Sequence, residues 1–357
     1  MSNTKGKRTV LVLGAGFTKA FCPSAPLLTD DYGLPDLLDQ FRTFPGAKQL
    51  LESEDKMSNG LIHIERLMTR LDSGMPYDFE HHVNEEFHLL LEALKKKLKD
   101  KIDEALKRGI GLRERKLLEQ LAQVCVRNHV NCITFNYDDL FDKFLFQAGQ
   151  PTITDKEKDE PYWHPDGGYG FFSPPAEDCV RHSRRFMDIT SMLLLKLHGS
   201  INWRVRQGYR RPFPVDAIVH LEDWLQHNIR PSIPMAAIKR HLDPTPFLVP
   251  PVLIKTDLRD QPILQVVWSQ AYRVLTNSTH AVFVGYSFPQ TDIATVTLFN
   301  EALQYLDQSH IRVVNIVGKE QDIKKAYRLV FPKLADDQFD FRGALEWVEE
   351  FVTDDTS

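Results

Sequence analysis

One histidine stands where open α/β sheets usually carry out their chemistry. An apolar run at residues 193–197 ends in His198, and Gly199 follows at once. The run has the length of a buried strand, and the glycine breaks it. Because ligands bind at the carboxyl ends of strands in such sheets, His198 is a candidate general base. A structural histidine satisfied in the core is the alternative, and this stretch alone leaves the two readings open.

A glycine turn near the N-terminus has the composition of a phosphate-binding loop. Residues 9–13 are a continuous apolar run typical of a parallel strand, and the turn follows at once. The residues of the turn are Gly14, Ala15, Gly16, Phe17 and Thr18. A strand, a tight turn and a helix start present backbone N–H groups and a helix dipole to an anion. Lys19 occupies the third glycine position of the dinucleotide fingerprint, so an ordinary strand-to-helix turn is the alternative.

Polar or small residues also follow two other apolar runs. Asn136 and Asp138 come after the run that begins at Asn131. Gly285 and Ser287 come after the run at 280–284. Polar side chains at the carboxyl end of a strand are what a site at the edge of a sheet needs. An aspartate at this position also serves as a helix N-cap, which is the structural alternative.

The order of the elements predicts a Rossmann-like, doubly wound and mainly parallel α/β sheet. Strand-like runs are separated by a long helical region at 36–128, in which apolar residues recur every three or four positions. We therefore predict a core made of residues 1–35 and 129–357. Residues 204–262 form an irregular accessory segment of that core, and residues 36–128 form an inserted helical subdomain.

Several features outside the strand ends have two interpretations. A lysine-rich helix face from Lys95 to Lys101 is predicted to be solvated, with a nucleic-acid patch as the alternative. His81 and His82 with Glu85 and Glu86 have a spacing that suits a metal, but no further ligand completes the set. Residues 149–185 are rich in proline, glycine and aromatic residues and are interpreted as an ordered loop or small lid.

The composition is that of an ordinary soluble protein. The 357 residues are 42% hydrophobic and 26% charged, and the net charge of -5 disfavours broad, non-specific binding of nucleic acid. Four cysteines are scattered without a Cys-x-x-Cys pair, so neither a thiolate zinc site nor a disulfide framework is indicated. No signal peptide or membrane span is evident. We expect a cytoplasmic protein that does not associate with a membrane and holds no metal.

Taken in order, these strand ends resemble the sirtuin family, and most closely its bacterial sirtuin-like branch in anti-phage defence. Gly14-Ala15-Gly16 is similar to the opening NAD loop of the family. The later matches are Asn136 and Asp138 to its Asn-x-Asp, His198-Gly199 to its catalytic His-Gly, Gly285 and Ser287 to its Gly-x-Ser, and Asn315 to a ribose-contacting asparagine. The resemblance covers the α/β core. It does not cover residues 36–128 or 204–262.

The resemblance implies that NAD+ is bound and consumed as a substrate. Asn136 and His198 would be catalytic, and the other matched residues, with Phe17 and Thr18, would bind NAD+. Deacylating sirtuins carry two Cys-x-x-Cys pairs that this chain lacks, and the defence branch lacks them too. The resemblance therefore favours an NAD+ glycohydrolase (NADase) that depletes NAD+ during abortive infection. A protein deacylase and a non-catalytic NAD- or ADP-ribose-binding assembly subunit are the alternatives. By the same analogy we expect a homo-oligomer gated by assembly, by a translocase ATPase or helicase-type partner, or by a phage component.

Overall fold

Parallel and antiparallel strands are separated into two sheets in this protein. The computed structural model describes residues 8–27, 34–58, 64–72, 85–149, 163–173, 190–221, 238–250, 260–288 and 292–356. Within these ranges the strands are β1 Thr9–Leu13, β2 Asn131–Thr134, β3 Leu194–Lys196, β4 Gly199–Arg206, β5 Ile218–His220, β6 Leu242–Leu248, β7 His280–Val284, β8 Ile311–Val314 and β9 Phe339–Asp340.

Helices surround both sheets. They are α1 Ala15–Phe21, α2 Leu34–Phe41, α3 Pro45–Ser58, α4 Ile64–Asp72, α5 Glu85–Lys107, α6 Leu112–Arg127, α7 Leu140–Gly149, α8 Pro165–Gly168, α9 Pro262–Asn277, α10 Ile293–Ala302, α11 Glu320–Val330 and α12 Ala344–Thr356. Short 3-10 turns lie at Val215–Ala217, Gln308–His310 and Asp336–Gln338. In the described part of the chain no helix combines the length and the apolar character needed to cross a bilayer.

The larger sheet has six strands in the order β3-β2-β1-β7-β8-β9, and all of its pairs are parallel. This is the strand order of dinucleotide-binding sheets, which reverses between the first and fourth strands. The central strands are apolar because both faces are covered; Val10 to Leu13 of β1 are all at most 1% exposed. The predicted mainly parallel α/β fold is thereby confirmed.

The helices form two groups, as a doubly wound sheet requires. One group consists of α1, α6, α7 and α12, which contact one another, and the other of α9, α10 and α11. Right-handed crossovers that run in opposite directions from the centre of the sheet place their helices on opposite faces. The carboxyl ends of β1 and β7 lie at the reversal, which is the crevice where such sheets bind ligands.

A three-stranded antiparallel sheet lies within and beside the segment predicted to be irregular. Its order is β5-β4-β6, and β4 begins at Gly199, directly after His198. The described part of 204–262 therefore contains strands β5 and β6, where an irregular accessory segment was predicted. The signal was weak because β5 has only three residues and β6 contains Pro244 and Pro246. An edge strand such as β6 tolerates these prolines because it pairs on one side only.

Helices α2 to α5 share a hydrophobic cluster of their own. Leu51, Leu67 and Leu90 lie at its centre, and Ile201 and Leu248 of the small sheet pack against it. Helix α6 falls within the predicted insertion at 36–128, yet its apolar face belongs to the core of the large sheet. The limits of the insertion stay a prediction, while the packing shows that the helical cluster rests on the strands next to His198.

Lys95 is not on the solvated face predicted for α5. It is 2% exposed and its Nζ lies 3.0 Å from Glu92 Oε1. Burial opposes ionisation of Glu92, but the Lys95 ammonium outweighs it, and the pKa of Glu92 is lowered. The reason is helical spacing, since Lys95 lies four residues after Leu91 and three before Leu98, both on the buried face. His81 and His82 lie outside the described residues.

Candidate functional site

The two glycine turns at the crevice touch each other through their backbones. A Cβ atom at Gly14 would lie 2.5 Å from Gly285 O and from Tyr286 Cα, and one at Gly16 would lie 2.8 Å from Gly285 O. Gly285 has a φ of +65°, and a Cβ there would lie 2.1 Å from Phe17 N. Only glycine allows this approach, so the three glycines have a packing reason in addition to any ligand.

Two N–H groups of the first turn are already bonded to carbonyl groups of the protein. Gly16 N donates to Gly285 O at 2.9 Å, and Phe17 N donates to Gly14 O at 2.9 Å. These two amides therefore do not point into the crevice as the predicted phosphate cradle requires. The Phe17 side chain is 1% exposed and packs against Phe21 and Phe141, whereas Ala15 lies exposed at the turn.

Asn136, Thr18 and Asp138 form one hydrogen-bond chain beside the glycine turn. Asn136 Nδ2 donates to Gly14 O and to Thr18 Oγ1, both at 2.9 Å. Thr18 Oγ1 donates to Asp138 Oδ2 at 2.8 Å, and Leu140 N donates to Asp138 Oδ1 at 3.2 Å. Because both amide hydrogens of Asn136 are used, its Oδ1 is the atom left to bind water or a ligand. The predicted N-cap of α7 was Asp138 or Asp139, and Asp138 accepts the bond from Leu140 N at the start of that helix.

A buried lysine, Lys196, fixes the Asn136–Asp138 segment through hydrogen bonds. Lys196 is 0% exposed, and its ammonium donates to the Asp138 carbonyl and to both carboxylate oxygens of Asp142, each 3.2 Å away. Tyr169 Oη donates to Asp142 at 2.7 Å. Burial raises the pKa of Asp142 although Lys196 and Tyr169 oppose it, which shows how strongly the site is desolvated. The network fixes the second strand end to the third.

The backbone around His198 is fixed on both sides. Val249 N donates to His198 O at 2.8 Å, and Trp268 Nε1 donates to Leu197 O at 2.9 Å. Gly199 has a φ of +75°, and a Cβ there would lie 2.5 Å from Phe247 O. The glycine thus lets β6 approach the turn, as expected from its position after the apolar run. His198 is presented at the end of β3 by a turn that is held rigidly.

The imidazole of His198 faces a carboxylate that the sequence did not assign to the site. His198 Nε2 lies 3.7 Å from Asp292 Oδ2, and the two residues are 8% and 5% exposed. Asp292 Oδ1 accepts a hydrogen bond from Thr295 N, so the residue is also the N-cap of α10. The Phe135 ring meets the imidazole edge to face at 5.3 Å. A histidine beside a buried carboxylate is oriented and can hold a proton.

Buried hydroxyl groups lie next to this pair. Tyr286 stacks on Phe135 at 4.5 Å, and burial together with the Asp292 carboxylate raises the pKa of its hydroxyl well above the ordinary value. The hydroxyls of Tyr286 and Thr295 lie next to each other, and neither has a partner with hydrogen-bond geometry among the described residues. Buried groups of this kind are uncommon and indicate a place where a water or ligand completes the bonding.

The remaining predicted residues line the other side of the crevice. Ser287 is exposed between two buried aromatic neighbours, so its side chain faces solvent at the end of β7. Asn315 is 8% exposed; its Nδ2 donates to Tyr286 O at 3.1 Å and its Oδ1 accepts from Ile316 N at 3.0 Å. In this structure Asn315 braces the β7 turn. Gly285 N also donates to Val314 O at 2.9 Å, so the ends of β7 and β8 are joined.

Asp292 and Lys196 are the residues that sequence reasoning missed. Asp292 lies five residues after Ser287, the nearest strand-end match, and an aspartate just before a helix is expected to act as its N-cap. Lys196 was counted as part of an apolar run. A charged residue inside an otherwise apolar strand was the available signal, because such a residue is rarely buried without a partner.

A second histidine–aspartate cluster lies away from this crevice. His220 Nε2 lies 2.7 Å from Asp166 Oδ1, and His164 Nδ1 accepts from Asp166 N at 3.2 Å. Burial opposes ionisation of Asp166, but the two histidines outweigh it, so the pKa of the carboxyl lies well below its usual value. His164 therefore has a structural role in this cluster. No group of three or more His, Cys, Asp or Glu residues in the described ranges is placed to hold a metal.

Comparisons with known proteins place the chain beside Sir2-type structures at low similarity. No protein-family model matches the chain, and neither does any curated protein. A Sir2 homologue in complex with NAD is 14% identical over 98% of this chain and 90% of its own, with a TM-score of 0.46. A mutant Sir2 homologue in complex with ADP-ribose is 14% identical over 98% and 92%, with a TM-score of 0.44. At these values the likeness assigns no family, and the site is interpreted from its own geometry.

Proposed function

We propose that the chain is an NAD+ glycohydrolase of sirtuin-like type, which cleaves NAD+ to nicotinamide and ADP-ribose. One observation carries the proposal. Polar side chains from β2, β3 and the segment after β7 converge beside two glycine turns at the reversal of a dinucleotide-type sheet. The order of the matching motifs along the chain supports the same substrate.

The geometry suggests how each residue acts. The pyrophosphate of NAD+ would lie along the crevice between the turns at Gly14–Gly16 and Gly285, within reach of the exposed Ser287. Asp138, held by Thr18 and by Leu140 N, would orient the nicotinamide carboxamide. Asn136 would direct its Oδ1 to a water molecule near the anomeric carbon of the ribose.

The chemical step is a hydrolysis at that carbon. The bond between C1′ and the nicotinamide nitrogen breaks, and neutral nicotinamide leaves with the bonding electrons. The ribose develops oxocarbenium character, and the water forms the new C1′–O bond. His198 accepts the proton of the water, and the resulting imidazolium is paired with Asp292 until the proton passes to solvent. General-base catalysis of this kind contributes roughly 10²–10⁴ in rate.

The proposed biological role is depletion of NAD+ in bacterial anti-phage defence, in a cytoplasmic homo-oligomer activated by assembly or by a partner. A partner ATPase or a phage protein would supply the trigger. This role rests on the resemblance of the motifs, which is an argument by analogy. One feature of the sequence itself bears on the choice between hydrolysis and deacylation. It has no Cys-x-x-Cys pairs, which favours attack by water over attack by an acyl-lysine.

The test is incubation of the full chain with NAD+, with nicotinamide and ADP-ribose separated by chromatography and the oligomeric state measured alongside. We expect equal amounts of both products, and loss of both in Asn136→Ala and in His198→Ala. The exposed His88 and Asn300 provide matched controls, and His88→Ala and Asn300→Ala should retain activity.

Other outcomes identify the alternatives. Nicotinamide release that requires an acyl-lysine peptide would indicate a deacylase. Binding of NAD+ without product, with the oligomer assembled, would indicate a non-catalytic assembly subunit. Activity that survives both site substitutions would contradict the assignment of the residues.

A further inference from the structure

A separate cavity lies between the helical cluster and the core. Its volume is about 610 Å³, within the range of small-molecule sites. Its walls come from α5, from the segment at 109–115, from the start of α7, and from β4 and β6. None of the residues assigned to the NAD+ crevice lines it, so it is a different place on the molecule.

Cationic side chains converge on this cavity from separate elements. Lys96 and Lys107 come from α5, Arg115 from α6, Lys143 from α7, and Lys239 from the segment before β6. Within the ranges that the structure covers, none of these five side chains has an ion pair or a hydrogen bond. Like charges gathered without partners disfavour the folded state, and a bound anion would relieve this repulsion.

Carboxylates at the cavity do not cancel this charge. Asp103 is paired with Lys99, and Asp243 accepts a hydrogen bond from Thr245 N. Counting Lys99 and Arg204 as well, seven cationic and four acidic side chains line the cavity, an excess of three positive charges. An anion with more than one negative charge suits this excess.

The lining of the cavity also includes apolar side chains, among them Leu140, Phe144, Ile201 and Leu242. Arg204, which also lines the cavity, is 6% exposed and donates to the carbonyls of Ile201 and Trp203 at 2.6 and 2.8 Å. A site that combines cationic and apolar side chains fits a ligand that has both phosphates and a flat ring.

We propose that this cavity is a binding site for a phosphorylated nucleoside, with its phosphates among Lys107, Arg115 and Lys143 and its base against Leu140 and Phe144. The proposal is independent of NAD+ cleavage, because it rests on residues that take no part in that reaction.

Lysine labelling tests the proposal at the site itself. The full chain is acetylated briefly with a water-soluble ester, with and without ADP, and modification at each lysine is measured by mass spectrometry. At ten times Kd we expect labelling of Lys107 and Lys143 to fall about tenfold. Lys97 and Lys116, which do not line the cavity, serve as internal controls and should be unchanged. Inorganic pyrophosphate in a parallel arm shows whether the base contributes, and we expect it to protect less well than ADP.

Charge reversal provides the second arm. Arg115→Glu should raise the ADP concentration that gives half-maximal protection about tenfold. The neighbouring Lys116→Glu should leave this concentration unchanged. ADP held only in the NAD+ crevice would leave Lys107 and Lys143 unprotected, and that result would overturn the proposal. Protection by a single-stranded oligonucleotide but not by ADP would also overturn it, in favour of a nucleic-acid surface.

Discussion

Replacement of Asp292 by asparagine separates the two roles that the structure gives this residue. Asp292 caps α10 through Thr295 N, and it also faces His198 Nε2 at 3.7 Å. Asparagine caps helices about as well as aspartate, so Asp292→Asn keeps the cap and removes the charge. Asp292→Ala removes both, and the loss of the cap costs about 1 kcal/mol of stability.

The size of the effect follows from the distance. A full charge pair at 3.7 Å is worth about 4 kcal/mol at an effective dielectric constant of about 20, and about 1 kcal/mol in bulk water. Both residues are less than a tenth exposed, which favours the upper part of this range. If His198 becomes an imidazolium in the rate-limiting step, kcat for NAD+ cleavage should fall between about fivefold and about a thousandfold.

The assay is the steady-state rate of nicotinamide release, with KM measured separately. We expect KM to change little in Asp292→Asn because the carboxylate acts through His198 and does not touch the substrate. The thermal midpoint should stay close to that of the wild type, whereas Asp292→Ala should lower it. Asp307→Asn, which changes another aspartate cap, is the control. A wild-type kcat in Asp292→Asn would refute the claim that the Asp292 carboxylate stabilises a His198 imidazolium during cleavage.

Three further predictions concern stability. Lys196→Met leaves the Asp142 carboxylate buried without its cation and should cost about 3–5 kcal/mol in urea unfolding, much of it recovered when Asp142→Asn is added. Gly285→Ala should destabilise by more than Gly208→Ala, because both glycines have positive φ but only a Cβ at Gly285 meets another backbone atom, at 2.1 Å; equal midpoints would contradict the packing argument. Hydrogen bonds from Arg342 lower the pKa of Asp340 to about 2, so this contact stabilises the fold above the ordinary carboxyl pKa of about 4 and is lost as pH falls toward 2. Asp340→Asn should remove that part of the acid sensitivity followed by circular dichroism, and an unchanged acid profile would argue against it.

The large sheet was predictable because its central strands are continuous apolar runs in the sequence. Residues 10–13 and 281–284 are apolar throughout, a pattern typical of a strand covered on both faces. Their glycine turns and polar ends then indicated which edge of the sheet carries the site. The small sheet was not predictable, because β5 and β6 are short or contain proline, and their pairing with β4 joins residues 13 to 49 positions apart in the chain.

The contacts within the site were harder to predict than its location. Asn136 and His198 were assigned from strand ends, but what fixes them comes from elsewhere: Thr18 on α1 for Asn136, and Asp292 before α10 for His198. A helix cap and an active-site partner require the same residue type, so the sequence alone favours the local role. The strand order places β7 beside β1 and separates it from β3 by two strands, β2 and β1. The residue that caps α10 therefore meets His198 across the crevice. Because Asp292 follows the turn after β7, movement of that turn would change its distance to His198. For this reason Gly285→Ala should lower NAD+ cleavage as well as stability.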